Sequence, residues 1–247
     1  MRSVLRIGGL SGVVAGATIG AFLATAGRGP IDAALALEEA SDTHGAAHEE
    51  MFSRGVQQIG GLVGLLLYGV ALGVVFAIVF AATARHLPAR TALTKALQLG
   101  AVGFVTIALV PFLKYPANPP AVGDPDTINQ RTLHYLAALA ASILLTVLVF
   151  MIAARSRRGP IGRAWVLTAT YVAGVIAMLA FLPGTPDRVD IAADLVWEFR
   201  LASIGGLAAG WAMLSLTAGT LFVAEARAQT PAAPVGPDLP GYSRAAR

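Results

Sequence analysis

The residue types able to do chemistry are few and fall in short segments. The 247-residue chain has four histidines, 14 carboxylates and no cysteine. Disulfides and thiolate sites are thereby excluded, so a metal would need imidazole nitrogen or carboxylate oxygen. His44 and His48 lie in an acidic stretch with Asp32, Glu38, Glu39, Asp42, Glu49 and Glu50. On a helix the i,i+4 pair would project from one side and suit a borderline divalent ion. Gly45 interrupts the pair, and a solvated charged loop is the competing reading. Asp124 and Asp126 precede His134 and offer two oxygen donors and a nitrogen. Lys114 and Arg131 compete for those carboxylates, which would make the segment a structural lid. Asp187, Asp190, Asp194 and Glu198 step by three and four residues, one stripe on a helix. Such a row either draws cations or is the solvated face of an interfacial helix. His86 stands beside Arg85 and Arg90, a poor place for a cation. The candidate metal residues are thus His134, Asp124 and Asp126 first, His44 and His48 second, then Asp190, Asp194 and Glu198. No nucleophile motif, Gly-rich phosphate loop or H-E-x-x-H helix is present, so the chain reads as a non-enzyme with no bound cofactor.

The elements that must position these residues are apolar helices. Hydrophobic residues make up 56% of the chain and charged ones 13%, against about 25% charged in soluble domains. This excludes ordinary soluble folds, disordered tails and nucleic-acid binders. Six stretches reach the roughly 20 apolar residues of a membrane span: Ile7–Ala26, Ile59–Ala82, Ala96–Leu113, Leu133–Ala154, Ala164–Leu182 and Leu201–Val223. The expected fold is all-α, a polytopic bundle of six transmembrane helices in three hairpins. Residues 1–226 form one membrane domain, and 227–247 a disordered cytoplasmic tail. The first stretch has two readings. Arg2 and Arg6 before an apolar run ending in Ala24-Thr25-Ala26 resemble a cleavable signal peptide. Its length and its glycines (Gly8, Gly9, Gly12, Gly16, Gly20) suit a retained, closely packed helix. The recurring Gly-Gly-Leu at 8–10, 60–62 and 205–207 reads as packing chemistry too.

Orientation follows from basic residues. With the N-terminus cytoplasmic, Arg2, Arg6, Arg85, Arg90, Lys95, Arg155, Arg157, Arg158, Arg163, Arg227, Arg244 and Arg247 lie inside, 12 of the 18. Twelve of the 14 acids then lie outside, all but Glu225 and Asp238. The positive-inside rule therefore places both termini in the cytoplasm. It also places His44, His48 and His134 outside.

The external segments carry further expectations. Ile31–Ala40 reads as an amphipathic helix with Ile31 and Leu35 on one face. Pro116, Pro119, Pro120 and Pro125 fall within ten residues, so that loop should be rigid and lie over the bundle end. Thr127 and Gln130 read as a capping box that starts the fourth span at Ile128. The spans hold no mid-membrane charge; a path would pass Gln58, Tyr68, Gln98, Thr106, Ser142, Thr146 and Tyr171.

Two strings carry a family resemblance. Leu113–Ile128 contains Lys-Tyr-Pro-Ala-Asn-Pro-Pro and Gly-Asp-Pro-Asp-Thr; Phe181–Ser203 contains Leu-Pro-Gly-Thr-Pro, Ala-Asp-Leu-Val-Trp and Phe-Arg-Leu-Ala-Ser. On these residues the chain resembles the CbtA family of proposed bacterial cobalt transporter subunits. The resemblance implies a subunit of a cobalt uptake system in the bacterial inner membrane. It also implies a small single-span partner (CbtB-like) with a His-rich tail. It supplies no ligand set. The external residues above would then capture the ion. The alternative reading is a structural or assembly membrane protein without transport of its own.

Overall fold

The computed structural model describes residues 1–41, 54–120, 122–185 and 191–229. It is all-α, with no strand among the described residues. Among the described residues six helices are long and apolar enough to cross a membrane. The first three spans are α1 (Arg2–Thr25), α3 (Arg54–Thr83) and the composite of α4 (Ala92–Gly103), a π-helical segment (Phe104–Leu109) and α5 (Val110–Lys114). The others are α6 (Ile128–Arg155), α7 (Pro160–Phe181) and α8 (Ala193–Gln229). The non-spanning α2 (Arg28–Ser41) covers the amphipathic segment and packs on α8, with Ala34 buried.

Local chemistry sets the helix starts. Pro160 at the head of α7 has no N–H to leave unpaired and a φ already suited to the first turn. At α4, Thr91 Oγ1 accepts from the Thr94 N–H at 3.1 Å, and Thr94 Oγ1 accepts from the Thr91 N–H at 3.2 Å. That is a reciprocal capping box. The box expected at Thr127 does not form, although α6 does start at Ile128. Pro125–Thr127 is a 3₁₀ turn that leaves Thr127 helical, and its hydroxyl donates back to the Asp124 carbonyl at 2.7 Å.

Glycine sets the tightest contact. Along the antiparallel α1–α3 crossing, Gly8 faces Gly73, Gly12 faces Gly69 and Gly16 faces Leu65. A Cβ on Gly8 would lie 2.7 Å from the Gly73 carbonyl oxygen, and one on Gly16 would lie 2.5 Å from that of Leu65. Small residues every fourth position let the two backbones meet, which is how membrane helices associate without a hydrophobic driving force. α1 buries Ile7, Ser11, Ala15 and Ile19 as well, with Ala15 and Ile19 against Gly210 of α8. The first stretch is therefore a central helix of the bundle. The Gly-Gly-Leu pattern is less uniform than expected: Gly205 and Gly206 pack on Phe22, whereas a Cβ added at Gly9, Gly60 or Gly61 would meet nothing within 4 Å.

The core lies between α1, α3, α4 and α8. Phe76 and Phe80 stack with each other, the Trp211 ring meets Phe76 edge-on, and Leu214, Ala96 and Ala218 close the centre. Gly103 makes room for the Trp211 ring, and Gly100 for Ser215. At one end Arg6 pairs with Glu225 at 2.8 Å, joining the start of α1 to the end of α8. The arms of the third hairpin part. α8 packs on α1 and α4, while α7 lies against α6 and buries Met178.

Pro111 explains the irregular third span. It lacks the N–H that would close the preceding turn, and the ladder widens to i→i+5 bonds, with the Val110 N–H donating to the Val105 carbonyl. The altered register leaves the Thr106 carbonyl to accept from Ser142 Oγ of α6 at 2.7 Å. Thr106 and Thr146 share a hydroxyl bond at 2.9 Å. The interior polar groups of these two helices are thus satisfied by each other.

Candidate functional site

The ends of the last four spans meet the Pro-rich loop on the side opposite Arg6–Glu225, and three cross-links hold the loop there. Lys114 Nζ donates to the Leu179 carbonyl at 2.8 Å. Tyr115 Oη donates to the Pro183 carbonyl at 2.8 Å. Arg200, at the head of α8, donates through Nε to the Ala117 carbonyl at 3.2 Å and through Nη2 to Asn118 Oδ1 at 2.9 Å. The loop therefore lies over the bundle end, as its prolines imply. Burial pushes the Tyr115 phenol above its ordinary pKa.

Beneath the loop is a cavity of about 540 Å³. Its polar lining includes Tyr115, Asn118, Arg131, His134, Tyr135 and Arg200, among prolines and aliphatic side chains. The His134 ring stacks on Tyr115, with centroids 5.9 Å apart and planes 24° apart. His134 Nδ1 is buried and has no hydrogen-bond partner. A buried polar nitrogen without a partner costs free energy on the order of 1–3 kcal/mol.

The sequence candidates distribute unevenly around this cavity. His134 lines it; Asp124 and Asp126 do not, and both are exposed. The Asp124 carboxylate is occupied locally, Oδ1 accepting the Asp126 N–H at 2.9 Å in an Asx turn. The Arg131 guanidinium reaches the Asp124 carbonyl at 3.5 Å, and Lys114 is spent on Leu179. Both cations thus reach backbone carbonyls. Asp194 and Glu198 sit one turn apart on α8, both exposed, as the first turns of the sixth span. His44, His48, Asp187 and Asp190 lie outside the described residues. Among the described residues no group of three His, Asp or Glu side chains gathers as a ready-made metal site. His86 Nε2 accepts from Arg85 Nε at 2.9 Å, which occupies that imidazole.

Of the suggested path residues, Thr106, Ser142 and Thr146 come together inside the bundle. Gln58, Tyr68 and Gln98 are exposed on the outer surface, because α3 and α4 turn glycine and alanine inward. Two builders were not singled out from sequence as such: Arg200 as the clamp on the loop, and Asn118 as its acceptor.

The family model described as "Probable cobalt transporter subunit (CbtA)" matches residues 1–223. The chain belongs to the CbtA family. The match takes in five spans and most of the sixth, the Pro-rich loop and every cavity-lining residue. No curated protein and no solved structure matches the chain. As a CbtA-family member with six spanning-capable helices it is a multi-pass membrane protein and a transport subunit, in agreement with the resemblance in its two loop strings.

Proposed function

We propose that this CbtA-family chain is the membrane-embedded subunit of a divalent transition-metal uptake system, with cobalt as cargo, and that the ion is met at the loop end of the bundle. The observation that carries this reading is His134, an imidazole lining a cavity that three cross-links hold in shape. His134 is the proposed nitrogen ligand. Asp124, Asp126, Asp194 and Glu198 form the approach, and His44, His48 and Asp190 add capture capacity. No phosphate-binding motif is present in the sequence, so the energy comes from a gradient or from another chain. A small single-span protein is the proposed partner.

The uptake test compares cobalt accumulation in cells carrying the parent, His134→Ala, Asp124→Ala or Asp126→Ala, with equal amounts in the membrane. His134→Ala should lower uptake about tenfold, the scale of losing a group that serves a metal. The two aspartate variants should act more weakly, through the loop. Parent-level uptake in all three would move the site elsewhere.

The proposed orientation puts both termini in the cytoplasm of a bacterium and the loop end outside its inner membrane. It rests on the Arg155, Arg157, Arg158 and Arg163 cluster inside and the acids outside. The chain has no cysteine, so single cysteines report topology cleanly. Those placed at Ala46, Ala121 and Ala192 should react with an impermeant maleimide in intact cells, and one at Ser156 should not. Labelling at Ser156 reverses the orientation.

The second reading, an assembly protein without transport of its own, draws on the interior. Ser11, Ser142 and Ser215 spend their hydroxyls on backbone carbonyls, and among the described residues none of the 22 described Asp, Glu, Lys, Arg and His side chains is buried in the bundle core. Uptake measured with and without the partner separates the two readings.

A further inference from the structure

The end of the bundle that holds Arg6–Glu225 is strongly cationic. Among the described residues it carries Arg2, Arg6, Arg85, Arg90, Lys95, Arg155, Arg157, Arg158, Arg163 and Arg227, against the single acid Glu225. Glu225 is taken by Arg6. The sequence beyond α8 adds Asp238 but also Arg244 and Arg247. Four of the cations gather at the link between α6 and α7. Arg155 closes α6, Arg157 and Arg158 belong to the link, and Arg163 lies in the first turn of α7. All four are exposed, and none of their side chains makes a hydrogen bond or ion pair with the described residues. The link has a set shape. Ser156 Oγ accepts the Arg158 N–H at 3.4 Å. The Arg158 side chain then lies along the first turn of α7, where a Cβ added to Gly162 would be 3.6 Å from its Cβ and 3.9 Å from its Cδ.

Beside this cluster the surface turns apolar. Ile161 is 76% exposed and Trp165 is 73% exposed. They stand four residues apart on one face of α7, and Gly162, beside Arg158, is three residues from Trp165. α7 packs mainly on α6 and buries only Met178, so this face is uncovered. Guanidinium groups without partners match a phosphate in shape and charge. Exposed apolar side chains at the same helix head match an acyl chain. An acidic protein segment would satisfy the arginines and leave Ile161 and Trp165 uncovered; an amphiphile with an anionic head satisfies both. We propose that the α6–α7 link binds an anionic phospholipid, its phosphate among Arg155, Arg157, Arg158 and Arg163 and its acyl chain along Ile161 and Trp165. The opposite end of the bundle has the reverse surroundings. Trp197, 61% exposed in the first turns of α8, stands with the exposed Asp194 and Glu198.

The test places the full chain in liposomes that mix phosphatidylglycerol with phosphatidylcholine. One of the two lipids carries bromine on its acyl chains and quenches any tryptophan it touches. Trp197→Phe leaves Trp165 as the lipid-facing reporter, and Trp165→Phe leaves Trp197. Trp211 is 4% exposed and gives a constant background in both. Phosphatidylglycerol should be preferred at Trp165 by at least about fivefold, the scale of one arginine at an anionic surface. At Trp197 the two lipids should compete evenly. Replacing both Arg157→Gln and Arg158→Gln should cut the preference at Trp165 at least about threefold. Even competition at Trp165 in the parent overturns the proposal and leaves the cluster to water or to an acidic protein segment. Equal preferences at Trp165 and Trp197 overturn it too, because they mark a general attraction of a basic chain for anionic lipid. So does a preference at Trp165 that the double variant leaves intact. The comparison of the two tryptophans needs no arginine variant, so it decides even if the double variant fails to insert. Liposomes hold the same lipids in both leaflets, so no outcome depends on the orientation of the chain or on what it transports.

Discussion

Gly12→Leu should abolish the folded bundle. A Cβ at Gly12 meets the Gly69 carbonyl oxygen and carbon and the Val70 Cα, none of which can swing aside as a side-chain tip would. A leucine adds three further carbons in the same place. The helices must then separate along the whole Gly8–Gly73 to Gly16–Leu65 seam, since all three pairs share one crossing. Overpacking a tight core costs about 1–3 kcal/mol where neighbours can adjust, and here the neighbour is backbone. We expect a loss of ~3 kcal/mol or more, seen as disappearance of the monodisperse peak in detergent and a collapse of the thermal transition. Gly9→Leu is the control. It lies one residue away, a Cβ added there would meet nothing within 4 Å, and the variant should behave like the parent. Gly69→Leu should reproduce the defect from the other side. A folded, parent-like Gly12→Leu would show that α1 and α3 do not meet through their backbones, and α1 would lose its place as a central helix.

The fold was legible because hydropathy counts spans and needs no contacts. Each sequence-derived stretch falls on a helix, and the ends differ by a few residues where polar terminal turns extend beyond the apolar run. The largest difference is at α8, which begins at Ala193 and continues to Gln229. Asp194 and Glu198 are read as a separate interfacial stripe on polarity alone, whereas the ladder simply continues through them into the span. Periodicity also fails at Pro111: a proline inside an apolar run looks like a tolerated kink, and nothing in the composition reports the π-helical register around it. Which helices pack together was not legible at all. Small residues mark an interface without naming its partner, so Gly60 and Gly61 read the same as Gly12.

The site was half legible, for a physical reason. Its rigidity was written in four prolines, and its position in the alternation of spans. Its sign was not. A metal-binding reading of Asp124, Asp126 and His134 assumes that nearby residues share a ligand. An Asx turn instead spends the Asp124 carboxylate on its own backbone, and α6 carries His134 under the loop. Arg200 is 82 residues from Asn118, and such a distant pair leaves no local pattern to read.

That pair sets the last expectation. Arg200→Ala should release the Pro-rich loop without unfolding the bundle. The guanidinium spans two acceptors on the loop, the Ala117 carbonyl and the Asn118 amide, from a fixed position at the head of α8. Hydrogen bonds to a charged group are worth about 1.5–3 kcal/mol each, and Arg200 is half-buried, so solvent screens part of that. Truncation should therefore loosen the loop locally by about 2 kcal/mol, while Tyr115 and Lys114 still hold its first turn. Amide exchange over residues 115–124 should accelerate about 30-fold, the equivalent of that free energy. Exchange in α1 and α3 should stay as in the parent, and so should the thermal midpoint within a few degrees. Arg200→Lys should not rescue it, because one ammonium lacks the planar fork that reaches both acceptors. Cobalt uptake should fall with the loop, since the cavity beneath it loses a wall and a positive charge together. Asn118→Ala separates those two losses. It removes an acceptor and leaves Arg200 in the cavity, so it should loosen the loop less and retain more uptake than Arg200→Ala. Unchanged exchange at 115–124 in Arg200→Ala would mean the prolines alone hold the loop.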